Sequence, residues 1–160
     1  MTDPASRRNF LRGRFSTGKA ALRPPWALAE DDFLRVCTRC GDCAQSCPSR
    51  IITEREAGYP VVDFGAGECT FCGDCAQACK TGALQRRAGQ IAWSIRAKIG
   101  EHCLALQRVE CRVCGEQCPA NAIKFRPQAG GVAVPLLATA HCTGCGACVA
   151  PCPTQAIRIA

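Results

Sequence analysis

Sixteen of the chain's 160 residues are cysteine, and they fall into four groups of four that leave few folds open. "CTRCGDCAQSCP" holds Cys37, Cys40, Cys43 and Cys47, "CTFCGDCAQACK" holds Cys69, Cys72, Cys75 and Cys79, and "CTGCGACVAPCP" holds Cys142, Cys145, Cys148 and Cys152. All three follow the spacing C-x2-C-x2-C-x3-C. The remaining group, "CLALQRVECRVCGEQCP", keeps that spacing for Cys111, Cys114 and Cys118 but sets its first member, Cys103, eight positions before Cys111 instead of three. Three thiolates two residues apart on a turning loop can take three corners of an iron–sulfur cube, while the fourth points away and reaches a second cube. The runs therefore work in pairs, each pair building one two-cluster unit, so that four [4Fe–4S] clusters are expected.

The expected ligand sets cross between the runs of a pair. They are Cys37, Cys40 and Cys43 with Cys79; Cys69, Cys72 and Cys75 with Cys47; Cys103, Cys111 and Cys114 with Cys152; and Cys142, Cys145 and Cys148 with Cys118. Zinc is the main competitor, but its sites use two C-x2-C pairs with a longer spacer and have no need of a third cysteine two residues on. Gly41, Gly73, Gly144 and Gly146 lie between the ligands, where a residue without Cβ lets backbone N–H groups aim at sulfur. Pro48, Pro119 and Pro153 follow the fourth cysteine in three runs, and Lys80 takes that place in the other.

Disulfides would be the natural reading in an exported protein, and the head raises that question. Ser6-Arg7-Arg8-Asn9-Phe10-Leu11-Arg12 has the paired arginines of a twin-arginine signal. A cleavable signal also needs an apolar run of roughly 7–15 residues and a small-residue cleavage site. Here Arg12, Arg14, Lys19 and Arg23 interrupt every such window, and no stretch reaches the roughly 18 apolar residues of a membrane span. The expectation is a cytoplasmic protein whose cysteines stay reduced.

The spacers suit an α+β fold of two tandem bacterial-type 2[4Fe–4S] ferredoxin-like units behind a flexible basic N-terminal tail. Residues 51–64 and 122–135 each read as a hairpin, with Gly58 in the first turn and Gly130-Gly131 in the second. In "WSIRAKIG", Trp93, Ile95 and Ile99 alternate with polar residues, predicting a further half-buried strand. The expected divisions are an extension over 1–30, a first unit over 31–90 and a second over 91–160.

The formal net charge is +7. Each cube with four thiolates carries about −2, so the loaded protein stands near −1 and a nucleic-acid partner is not expected. The charge is unevenly spread, since residues 1–26 alone carry +5. Arg7, Arg8 and Arg12 with the apolar Phe10, Leu11 and Trp26 are the candidate partner-docking residues in that head. No nucleophile set, phosphate-cradling loop or paired carboxylate motif stands out, which points to an electron carrier or assembly factor and not to an enzyme.

Beyond the cysteine runs, the chain carries "SRRNFLRGR", "RPPWA" ahead of an acidic patch, "FLRVCTRCGDC" and the stretched "CLALQRVECRVC". In these features it resembles the NapF family of ferredoxin-type accessory proteins of the periplasmic nitrate reductase system; generic ferredoxins share the runs but lack the head and the stretched loop. The resemblance implies a cytoplasmic partner of the catalytic molybdenum subunit before its export, acting in the loading or reduction of that subunit's own cluster. The second reading is an electron-transfer module at the inner face of the membrane, serving membrane-bound Nap subunits that oxidise quinol.

Overall fold

Most helices among the described residues are brief because the cysteine loops that launch them turn back almost at once. The computed structural model describes residues 21–160. The first helix among the described residues, α1 (Glu30–Val36), has Glu30, Asp31 and Asp32 in its first turn and Arg35 in its last, which complements the helix dipole at both ends, and it buries Phe33. Each of the next three follows inside a cysteine run: α2 (Asp42–Gln45), α3 (Asp74–Ala78) and α4 (Val113–Glu116). None of these three exceeds five residues, so packing and not propensity must hold them. The run at 142–152 turns without forming a helix.

Three two-stranded antiparallel sheets complete the described residues. β1 (Ile52–Glu54) and β2 (Pro60–Val62) form the hairpin expected over 51–64, with Ile52 opposite Val62. β4 (Ile123–Gln128) and β5 (Gly131–Leu137) form the second, with Ile123 opposite Leu137 and an irregularity between Arg126 and Gln128. β3 (Ala97–Ile99) pairs with β6 (Ile157–Ile159), the strand that follows the last cysteine run. The strand expected from Trp93 onward is therefore shorter than its alternation suggested. Trp93 and Ile95 lie before β3 and pack instead against the core of the first half.

The N-terminal part of the first unit differs from expectation in the same way. Residues 22–28 do not belong to a tail. Val62 N–H donates to the Leu22 carbonyl (2.8 Å), Trp26 N–H to that of Ala92 (2.8 Å) and Gln85 N–H to that of Trp26 (2.9 Å), and Ala27 bridges Leu84 antiparallel. This bridge is to the first half what β3–β6 is to the second: an incoming segment laid beside the chain five residues past a fourth cysteine. Pro24 and Pro25 are fully buried, and their missing N–H groups cost nothing there because no strand partner needs them.

Trp26, expected as a docking residue, is a core residue, only 5% exposed. Its neighbour Arg23 is clamped by Glu30 through two hydrogen bonds (2.9 and 2.6 Å) and stacks over Phe33, with its guanidinium carbon 4.9 Å from the ring centre. The other docking candidates, Arg7, Arg8, Phe10, Leu11 and Arg12, lie outside the described residues. Trp26→Ala is expected to cost about 3–5 kcal/mol, the usual range for a buried aromatic. Thermal unfolding followed by loss of cluster absorbance would measure it, and a docking role without a core role would leave the midpoint unmoved.

The hydrophobic core is uneven. In the first half it gathers Trp26, Phe33, Ile51, Ile52, Val62, Phe64 and Leu84. In the second half the buried residues are mostly Ala and Cys, with Ile123 and Ile157 as the large ones.

Candidate metal centres

All sixteen cysteines are free, and four cavities divide them without remainder. Cys37, Cys40, Cys43 and Cys79 line one; Cys47, Cys69, Cys72 and Cys75 line another. In the second half, Cys103, Cys111, Cys114 and Cys152 line the third, and Cys118, Cys142, Cys145 and Cys148 the fourth. Each quartet takes three members from one run and one from its pair, the crossing that the spacing predicts. The cavities hold about 310 to 350 Å³ of space, part of it open to solvent, between apolar walls such as Phe33 and Leu84 in one and Pro25 and Ile52 in another.

Cys103 reaches its cavity although its loop is stretched. The seven residues between it and Cys111 fold onto themselves: Gln107 N–H donates to the Cys103 carbonyl (3.0 Å), Val109 N–H to that of Leu104 (2.9 Å), and Arg108 takes a left-handed conformation at φ 64°. Ala105 is buried beneath the loop while Leu106 and Val109 face outward, so the insertion bulges from the surface and returns the chain to Cys111.

Backbone N–H groups do point at sulfur. Leu84, Ala122 and Ala156 donate to the Sγ of Cys79, Cys118 and Cys152, at 3.3 to 3.4 Å, and each acceptor is the fourth cysteine of its run. Ahead of each donor the chain reverses through a residue with positive φ, three positions past that fourth cysteine: Gly82, Asn121 and Gln155, with Arg50 at the same place in the first run. Three of these four are not glycine, so composition alone did not reveal the turn. Phe71 N–H and Ala97 N–H donate to the Sγ of Cys69 and Cys142, both at 3.4 Å.

Several of the thiols are unwilling to ionise on their own. Burial, and then the neighbouring cysteines of the quartet, push Cys43 and Cys114 up to about 11 and Cys75 and Cys148 up to about 12. Four thiolates in so small a space need positive charge between them, which an iron core supplies. Among the described residues, no group of three or more His, Cys, Asp or Glu is arranged to hold a single metal ion. His102 and His141, which precede cysteines in sequence, are not among the residues lining the four cavities.

Comparison with known proteins agrees with this geometry. Residues 36–84 match a 4Fe-4S dicluster domain and residues 107–157 match a second. The ferredoxin-type protein NapF of Haemophilus influenzae is 49% identical over 96% of this chain and 92% of its own length. NapF of Escherichia coli K12 is 45% identical over 98% of this chain and 95% of its own. The chain belongs to the NapF family. Its two dicluster domains carry four [4Fe–4S] clusters. A looser relative, the methylamine utilization ferredoxin-type protein MauM of Paracoccus denitrificans, is 38% identical over 82% of this chain and 66% of its own length. No helix among the described residues is long and apolar enough to cross a membrane.

The halves of this NapF-family chain meet at their inner cavities. Cys69 N–H donates to the Cys145 carbonyl (2.8 Å), joining a residue of one quartet to a residue of another. Trp93 donates its indole N–H to the Thr143 carbonyl (3.2 Å), and its ring meets Phe64 and Phe71 edge-on at 5.9 and 6.1 Å. Sequence reasoning missed this contact because the groups lie some fifty to eighty residues apart. It also missed Arg86 and Glu54, which stand beside two of the ligand loops and share a signal that was visible: both come seven residues after the fourth cysteine of a run.

Proposed function

We propose that the chain is an accessory protein that binds the unexported catalytic molybdenum subunit of a periplasmic nitrate reductase in the cytoplasm and assists its maturation, by loading or reducing that subunit's own iron–sulfur cluster. The observation that carries the reading is likeness to NapF proteins over nearly the whole chain, the head included. Each cavity-lining quartet is assigned as the ligand set of one cluster. When bound, a [4Fe–4S] cluster stores and passes single electrons. The chain's own residues supply the thiolates, the N–H donors to sulfur and the apolar walls that limit water. Cys40 and Cys72 are the exposed members of their quartets, so the first half brings two ligand loops to the surface where a partner can approach.

The test is an anaerobic pull-down from nitrate-respiring cells with the intact chain and with a chain lacking residues 1–20. That deletion removes Arg7, Arg8, Arg12, Arg14 and Lys19 without touching the packed residues 22–28. Recovery of the signal-bearing catalytic subunit by the intact chain is expected, and its loss on truncation assigns the contact to the head. Recovery of membrane subunits without that enzyme points instead to an electron-transfer module of a quinol-oxidising complex, and recovery of neither rejects both.

A further inference from the structure

The first half contains two copies of one loop, and their flanking charges are of opposite sign. Gly41 and Gly73 both follow the second cysteine of their run and both take positive φ, 78° and 93°. Seven residues after the fourth cysteine of those runs come Glu54 and Arg86. Each side chain lies against the glycine of its own copy. A Cβ on Gly41 would stand 3.3 Å from a Glu54 carboxylate oxygen, and one on Gly73 would stand 3.2 Å from the Arg86 guanidinium carbon and closer still to Nη1. Arg86 is held on three sides: it donates from Nη1 to the Cys72 carbonyl (2.8 Å), it stacks 4.9 Å from the centre of the buried Trp26 ring, and Gly73 leaves it room to do both.

The remaining charges near these loops do not reproduce the contrast. Asp42 and Asp74 occupy equivalent places in both copies. Lys80 is paired with Asp42 at 3.2 Å. Arg39 turns away, donating to the Ala57 carbonyl and stacking on Tyr59. The second half has apolar residues at the corresponding positions, Phe125 and Ile159.

We infer that Arg86 and Glu54 are tuning residues that shift the reduction potentials of the two first-half centres in opposite directions. Resting on the quartet assignment above, the inference follows from electrostatics. Reduction adds one negative charge to a cluster, so a positive group fixed beside it favours the reduced form and a carboxylate disfavours it. Arg86 thus raises the potential of the centre held by Cys47, Cys69, Cys72 and Cys75, and Glu54 lowers that of the centre held by Cys37, Cys40, Cys43 and Cys79. Both side chains are exposed, so the shifts shrink as salt is raised.

Mediated redox titration followed by EPR tests this on the loaded full-length chain, with iron and sulfide content measured for every variant. Arg86→Gln is expected to move one signal to a more negative potential and Glu54→Gln to move a different signal to a less negative one. Arg86→Lys keeps the charge while losing the fork, and it should leave the potential near that of the unaltered chain even if stability falls. The signal moved by Arg86→Gln should be the one altered in Cys72→Ser. If Cys72→Ser alters another signal, the ligand assignment fails and the inference with it. If it alters the same signal but Arg86→Gln leaves that potential in place, or if Arg86→Lys shifts it as far as Arg86→Gln does, the assignment stands and the tuning role is overturned.

Discussion

Stripping iron from the protein by anaerobic chelation is expected to abolish its ordered structure, and to do so in the second half first. Far-UV circular dichroism and hydrogen exchange, followed as iron is withdrawn, would record the order. The reason lies in how little else holds the chain. Among the described residues, three of the four α-helices have four or five residues and four of the six strands have three, lengths that are not stable without packing. In the second half the packed residues are mainly alanines and ligand cysteines, with two large aliphatic side chains buried, whereas the first half buries Trp26, Phe33, Phe64 and several aliphatics. A structural metal site contributes on the order of 10 kcal/mol, comparable with the entire stability of an ordinary domain at about 5–15 kcal/mol. An iron-free chain that kept native dichroism and slow exchange would contradict this account, and simultaneous loss of both halves would contradict the predicted order.

Gly146→Ala is the second change with a large expected effect. Gly146 has φ 83°, and a Cβ there would fall against the Phe64 ring, 2.5 Å from Cε1 and closer still to Cγ and Cδ1. Phe64 is buried and wedged edge-on against Trp93, so it has little room to retreat. The left-handed backbone and the overpacking together should cost about 2–5 kcal/mol. Because the clash lies between the halves, the variant should loosen their contact, which faster proteolysis within residues 86–96 would reveal. Gly130→Ala is the control: its φ is 65° but a Cβ there meets nothing within 4 Å, so it carries the backbone cost alone. Equal effects from the two substitutions would show that the interface does not depend on this close approach.

The grouping of the cysteines around four cavities was legible in the sequence because the reach of a short loop is a local property. Residues two apart on a turning loop have a short and limited reach, so C-x2-C-x2-C confines three sulfurs to one cavity wherever it occurs. The fourth cysteine, three residues on, has to serve the neighbouring cavity for the same reason. Even Cys103, eight residues from its neighbour, was expected beside Cys111, Cys114 and Cys152, and the stretched loop, folded on its own hydrogen bonds, places it in the cavity those three line. The hairpins at β1–β2 and β4–β5 were equally readable, since alternation and a glycine turn specify contact between segments only a few residues apart.

Other features depended on segments far apart in the chain. Nothing local in "RPPW" distinguishes an apolar docking head from a strand partner; Trp26 became core because residues 83–92, some sixty positions later, present a free backbone edge and a hollow for its ring. Likewise Trp93 and Ile95 read as part of a strand until the second half, through Gly144, closed over them. Short-range spacing determined which cysteines share a cavity, because it acts through bond lengths and turn angles over a few residues. Tertiary structure alone decided how the two units meet, which charges lie against which ligand loop, and where the tail ends, because those contacts exist only once distant surfaces of matching shape are packed together.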